Sequence, residues 1–218
     1  MSKQSTNAFK QALEEVVSSF ALDALTERQI EQCASHYALL CRWNPRVNLT
    51  RITEPLEAAR FHYAESIFGA QFIESERTVL DIGSGAGFPA IPLAIVRPDI
   101  EVTALEANQK KSLFLKEAKD ELHLANLRIA TARLEEFDWT GYQLLTSRAL
   151  EKAETVFQSV LERMSSRQRL MLYCAPDLAA KLEQQGPAEC LITTHTIPKS
   201  ESRIMAIFSS RLTSPTQS

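Results

Sequence analysis

The segment Thr78-Val-Leu-Asp-Ile-Gly-Ser-Gly-Ala-Gly-Phe-Pro-Ala-Ile-Pro-Leu constrains this chain more than any other. A short β-rich run enters a loop with glycine at positions 83, 85 and 87, and an apolar helical stretch follows. Glycine permits the sharp turn and lets a ligand approach the backbone with no Cβ in the way. A loop of this kind belongs at the carboxyl end of the first strand of an open α/β sheet, where such sheets bind ligands.

The flanking sequence agrees. From about Arg77, β-rich runs at 78–82, 102–105, 127–131, 142–147, 169–174, 191–197 and 204–208 alternate with helical patterns at 88–96, 108–122, 152–163 and 177–185. Alternation predicts right-handed βαβ units on a mostly parallel sheet. The last two runs are joined only by Pro198-Lys-Ser-Glu-Ser202, too short for a parallel crossover, so they should pair antiparallel. Residues 1–72 read as a helical extension. Phe9, Leu13, Val16, Val17 and Phe20 recur at helical spacing, and Thr26 with Gln29 forms a capping-box signal for a second helix, whose buried stripe would be Ile30, Cys33, Tyr37 and Leu40. An irregular piece is expected over Asn44–Thr50, and a third helix over about 54–72 begins after Thr53 with Pro55 in its first turn. The α/β domain spans 73–211, and the polar tail 212–218 is expected to be disordered.

Two details of the loop decide what it holds. The dinucleotide fingerprint is G-x-G-x-x-G, but position 88 is Phe, so the spacing is G-x-G-x-G. Asp81 stands just ahead of the glycines, where it would repel a pyrophosphate and suits the ammonium of a methionine moiety. No Lys-Ser/Thr follows, which excludes a Walker A phosphate loop. The second strand ends at Glu106, placed to accept hydrogen bonds from two ribose hydroxyls. The expected cofactor is S-adenosyl-L-methionine; a dinucleotide site and a purely structural turn are the competing readings. With the terminal hairpin, the expected fold is α/β, a Rossmann-like class I S-adenosylmethionine-dependent methyltransferase with a mostly parallel seven-stranded sheet. Pro89 fits a first helical turn, whereas Pro92 should kink or delay the helix.

Bulk properties narrow the partners. A net charge of −3 gives no support for nucleic-acid binding unless a local basic patch forms. Cysteines 33, 41, 174 and 190 make no C-x-x-C pair and have no zinc spacing with the four histidines, so no metal is expected and the thiols read as free in a reducing compartment. The amino-terminal segment carries acidic residues and no apolar core, unlike a signal peptide, and no run approaches a membrane span. The expectation is a cytoplasmic monomer with no membrane contact.

The motifs together resemble those of the bacterial 16S rRNA guanine-N7 methyltransferases, also called glucose-inhibited division protein B. The resemblance covers about residues 36–150 well and the rest by architecture. It rests on Trp43-Asn-x-x-x-Asn48-Leu-Thr50, His62-x-x-Glu65-Ser66 and the glycine loop with its prolines. Glu106-x-x-x-Lys110-Lys111-x-x-Phe114-Leu115, Arg133-Leu134-Glu135-Glu136 and Ser147-Arg148-Ala149 extend it. Two places depart from the family pattern: Glu65 stands for the usual Asp, and the fifth strand ends Tyr173-Cys-Ala-Pro176 instead of in Lys-Gly. The resemblance implies methylation of a 16S rRNA guanine at N7 in the small ribosomal subunit. It implies cofactor contacts from Gly83 and Phe88, with Leu134 and Glu135 at the adenine and Arg148 beside the cofactor at the mouth of the target pocket.

The candidate cofactor set is therefore Asp81, Gly83, Ser84, Gly85, Gly87, Phe88, Glu106, Leu134, Glu135 and Arg148. Arg148 is the candidate catalytic residue, since arginine is the common partner of guanine O6 and N7. The bland alternative makes it a surface arginine paired with Glu135 or Glu151. Arg46, Asn48, His62, Lys110 and Arg148 are candidate RNA contacts. Asn48 is otherwise expected to bond its own loop backbone, and His62 to cap or pack the third helix. Arg42, Arg46, Arg51 and Arg60 could form a phosphate-binding patch with Arg148 and Lys110. Methylation at N7 needs in-line positioning and no strong base, because that atom carries a lone pair and no proton. Competing functions are methylation of another RNA or a small molecule, and non-catalytic cofactor binding.

Overall fold

The computed structural model describes residues 3–148, 153–188 and 190–210. The expected disordered tail, Ala149 and Glu151 lie outside the described residues.

Helix α1 (Lys3–Ser19) buries Phe9, Leu13, Val16 and Val17, and the turn that follows it buries Phe20, which completes the predicted stripe. Helix α2 (Glu27–Val47) opens on the predicted capping box: the Gln29 N–H donates to Thr26 Oγ1 at 3.3 Å and the Thr26 N–H to Gln29 Oε1 at 2.9 Å. The irregular piece expected from Asn44 is instead the last turn of α2, which runs through Pro45 to Val47. A proline this close to the helix end forfeits only one ladder bond. Asn48 closes the helix in the left-handed conformation, with φ 53° and ψ 56°. Asparagine is among the few non-glycine residues at ease there.

The third helical span is continuous but not uniform. Helix α3 (Pro55–Ala58) passes into a π-helical stretch (Ala59–Ala64), then α4 (Glu65–Gly69). Its amino-terminal cap is Glu54, which accepts the Glu57 N–H at 3.0 Å, and not Thr53. The extra residue per turn in a π segment re-aims its side chains, here Phe61 and His62.

The sheet has the order β3-β2-β1-β4-β5-β7-β6. Strands β1 (Thr78–Ile82), β2 (Glu101–Leu105), β3 (Leu127–Ala130), β4 (Leu144–Arg148) and β5 (Arg169–Cys174) are parallel. Strand β7 (Ile204–Ser210) runs antiparallel between β5 and β6 (Cys190–Thr196), as the short connector requires. Alternate strand residues divide two cores. Val79, Val102, Leu144 and Met171 face the extension and helices α5 (Ala90–Val96) and α6 (Gln109–Glu121). Leu80, Leu105, Leu145 and Leu170 face α7 (Ala153–Arg163) and α8 (Pro176–Gln185). The extension thus shares one core with the sheet: Phe9 stacks on Tyr37 at 4.3 Å and meets Tyr63 edge-on at 4.9 Å. Pro92 neither kinks nor interrupts α5, because the helix starts at Ala90 and its third residue has no intrahelical donor to lose.

Candidate active site

The loop after β1 is held by two carboxylates and a histidine. Gly83, Gly85 and Gly87 have φ of 73°, 56° and 88°. Gly87 has a second constraint: a Cβ there would sit 2.4 Å from the Ile91 side chain. Asp81 is fully buried; its Oδ2 accepts the Ser84 hydroxyl at 2.6 Å and the Ala90 N–H at 3.2 Å. Its Oδ1 has no hydrogen-bond partner among the described residues. Burial pushes this carboxyl up to about 7. Glu106 accepts the Gly85 N–H at 2.9 Å on one oxygen and the Asn108 N–H at 2.8 Å on the other. His36, unremarked in the sequence, donates from Nε2 to the Ala86 carbonyl at 3.1 Å and accepts the Tyr63 hydroxyl on Nδ1 at 2.9 Å. Its position, three residues past Cys33 on the apolar stripe, was the available signal.

A cleft of about 460 Å³ opens beside this loop. Gly83, Glu106, Leu134 and Glu135 line it, as do Lys111, Ala132 and Val156, which sequence reading did not assign. Val156 reaches it only because the crossover after β4 lays α7 over the cleft. Lys110, by contrast, is exposed one position away on α6. Asp81, Ser84 and Phe88 lie buried behind the loop. The Phe88 ring stacks on His62 with centroids 4.6 Å apart and meets Tyr63 at 5.1 Å. An orphaned buried acceptor, left-handed glycines and a carboxylate beside an apolar platform fit a cationic, ribose-bearing adenine cofactor.

Arg148 is no surface arginine and does not pair with Glu135. Its guanidinium is buried against the π segment, donating to the Phe61 carbonyl and to His62 Nδ1 at 2.9 Å, 3.9 Å from Glu65 and 5.2 Å from the centre of the Phe88 ring. It is not among the walls of the cleft. Since arginine can only donate, His62 Nδ1 is the acceptor and Nε2 carries the proton, directed at Thr50 Oγ1 2.8 Å away. Asn44, not Asn48, holds that loop: its amide donates to the Thr50 carbonyl and accepts the Thr50 N–H, both at 2.9 Å. Asn48 is exposed. His62 is buried within this network and contributes no free edge to a ligand. Glu65 takes a two-pronged bond from Arg203, at 3.0 and 2.9 Å.

The expected arginine patch does not assemble as one surface. Arg148 is internal, Arg42 is tied to Glu117 and Glu121 at 3.4 and 3.0 Å, and Arg60 lies 4.9 Å over Phe61. Arg46, Arg51 and Lys110 are exposed.

Burial lowers both His36 and His62 from 6.5 to about 3. Unfolding lets each take a proton near pH 6.5, whereas the folded chain admits none until about pH 3. Over that interval the unfolded state holds two more protons at these sites, so stability falls as pH falls. Asp81 acts oppositely: its folded carboxyl keeps a proton to about pH 7 and its unfolded one only to 3.8. The three groups together leave one proton of difference between about pH 4 and 6. Stability is expected to rise with pH there by roughly 1.4 kcal/mol per unit. Denaturant titrations across that range check this, and Asp81→Asn should steepen the slope. A flat profile in both proteins would refute it.

A glycine loop clamped by acids at the end of β1, on a sheet that closes with an antiparallel seventh strand, defines a class I methyltransferase that uses S-adenosyl-L-methionine. Solved structures agree on the fold. A ribosomal protein L11 methylase from Lactobacillus delbrueckii subsp. bulgaricus superposes with TM-score 0.54 at 12% identity, covering 69% of this chain and 79% of its own. A protein of the NADB-Rossmann superfamily from Streptococcus agalactiae gives 0.53 at 14% identity over 67% of each chain. The sequence family described as rRNA small subunit methyltransferase G matches residues 29–202, and the chain belongs to that family. The ribosomal RNA small subunit methyltransferase G of Solibacter usitatus is 36% identical over 158 residues, 71% of this chain and 74% of its own. That of Stutzerimonas stutzeri is 41% identical over 132 residues, 60% of this chain and 61% of its own.

Proposed function

We propose that the chain methylates N7 of a guanine in 16S rRNA of the small ribosomal subunit. One observation carries this reading beyond the family: both buried histidines beside the glycine loop are neutral and engaged at both ring nitrogens. Neither is available as a base. Methylation at an amine, a hydroxyl or a ring carbon has a proton to dispose of; methylation at guanine N7 has none. When bound, S-adenosyl-L-methionine supplies an electrophilic methyl on a sulfonium.

The residues then have separate duties. The free Oδ1 of Asp81 complements the cofactor ammonium, and Glu106 accepts from the ribose. Leu134 and Glu135 hold the adenine against the cleft wall. Gly83, Gly85 and Gly87 give the loop its path, with Ser84 and Phe88 supporting it from behind. Arg148 and His62 act by fixing the π segment against the end of β4, and so position the site. Exposed Arg46, Asn48 and Lys110 are the proposed contacts to RNA. Transfer of that methyl to N7 would leave the positive charge on the base and ask no proton acceptor of Asp81, His36 or His62. No proton moves.

The test is methyl transfer from labelled cofactor to small subunits lacking the modification, followed by nucleoside analysis. Label is expected in 7-methylguanosine, with Arg148→Ala severely impaired. Label in another nucleoside, or none in RNA, overturns the reading.

A further inference from the structure

The glycine loop has little backbone restraint of its own. Gly83, Gly85 and Gly87 all stand at positive φ, and glycine gives up more freedom than any other residue when it is fixed. A loop already held in its bound shape binds more tightly, because the ligand has less to order. Each bond that restrains residues 83–88 therefore bears on cofactor affinity. The first half of the loop is held from β2 and its end: the Gly83 and Ser84 N–H groups donate to the Leu105 carbonyl at 2.9 and 3.1 Å, and the Gly85 N–H donates to Glu106 at 2.9 Å. The second half turns on the peptide that joins Ala86 to Gly87. Both polar ends of that peptide are engaged. The Gly87 N–H donates to the Ser84 carbonyl at 2.7 Å, and the Ala86 carbonyl accepts from His36 Nε2 at 3.1 Å.

His36 comes from α2, outside the α/β domain. Among the described residues it is the one side chain of the extension that hydrogen-bonds the loop. Its ring is fully buried. Chemistry fixes its tautomer. A carbonyl can only accept, so Nε2 carries the proton. Burial keeps the ring neutral down to about pH 3, so Nδ1 is bare and accepts the Tyr63 hydroxyl at 2.9 Å. Tyr63 is equally buried, in the π stretch. The rings of His36 and Tyr63 each lie 5.1 Å from that of Phe88, at the end of the loop. A hydroxyl from one helical segment of the extension thus orients a histidine of another, and the histidine holds the loop. An apolar residue at position 36 would suit the stripe of α2 but offer the Ala86 carbonyl no donor.

We infer that His36, oriented by Tyr63, is a positioning residue for S-adenosyl-L-methionine. Through it the extension forms part of the cofactor site, by fixing the Ala86–Gly87 peptide in the shape the cofactor binds. This role concerns the cofactor loop alone and holds whichever nucleoside receives the methyl.

Calorimetric titration of the full chain with S-adenosyl-L-methionine, in the absence of RNA, tests the assignment. The terminal amide of glutamine reaches about as far as Nε2 and keeps a donor for Ala86; that of asparagine reaches only as far as Nδ1 and keeps an acceptor for Tyr63. Each variant gives up one of the two bonds and leaves a similar void, so their thermal midpoints should fall by similar amounts. Their affinities should part. His36→Asn is expected to weaken binding by about 10-fold, and His36→Gln by less than about threefold. A gap of about threefold or more in that direction supports the assignment. A smaller gap, or the reverse order, overturns it, because packing alone would then set both affinities. If His36→Asn fails to fold, Tyr63→Phe takes its place. It keeps the ring, removes the hydroxyl that orients His36, and should weaken binding by about three- to tenfold. Wild-type affinity in that variant overturns the assignment. With no RNA present, none of these outcomes bears on the guanine-N7 reading.

Discussion

Replacing Glu106 by alanine is expected to weaken cofactor binding by about 100-fold or more. Its carboxylate is joined to the Gly85 and Asn108 N–H groups and still has lone pairs turned to the cleft it lines. Hydrogen bonds to a charged group contribute about 1.5–3 kcal/mol each, and about 1.4 kcal/mol is a factor of ten. Loss of two ribose contacts alone accounts for the expected change. Release of the Gly85 N–H adds to it by letting the loop depart from the left-handed path its ligand requires. Glu106→Gln sharpens the test. Whichever way the amide is turned, its NH2 faces a backbone donor, so the glutamine should bind almost as poorly as the alanine. Calorimetric titration with S-adenosyl-L-methionine measures both. Affinity within threefold of wild type in either variant, with thermal stability kept, would remove Glu106 from the cofactor site.

Glu106 was visible in the sequence because its signal is local. A strand, a glycine loop and an acid at the end of the next strand are each set by nearest neighbours and by a parallel register of five pairs between β1 and β2. The same holds for the capping box of α2 and the terminal hairpin. What stayed hidden depends on contacts far along the chain. Arg148 meets His62 across 86 residues and Arg203 meets Glu65 across 138. No periodicity announces that a strand end will face a π segment of a remote helix. Asn44 and Asn48 show the limit within one motif. Both are turn-formers four residues apart, and sequence favoured the second as the loop's clamp. The helix runs one turn further than Pro45 suggested, which gives Asn48 the cap conformation and leaves the first with the side-chain bonds.

Of all single replacements at the site, Glu65→Met should cost the most stability, about 3–5 kcal/mol. The carboxylate is 1% exposed and stands between Arg203 and Arg148, whose side chains are 29% and 10% exposed. Burial already pushes Arg148 down to about 10, with Glu65 the main opposing influence. Without Glu65, a buried guanidinium keeps its charge and loses its counterion, and this penalty exceeds whatever the pair contributed net. Arg203 can relax toward solvent, which favours the lower part of the range. For a chain of this size the midpoint of thermal unfolding should fall by about 10 °C. The double variant Glu65→Met, Arg203→Met should recover part of the loss, because it removes one of the stranded charges. Arg128→Ala is the contrast: its pair with Glu101 has side chains 69% and 57% exposed and should be worth less than about 1 kcal/mol. Equal losses from Glu65→Met and Arg128→Ala would show that Glu65 does not hold the arginines. The position of Arg148 against the π segment would then need another cause.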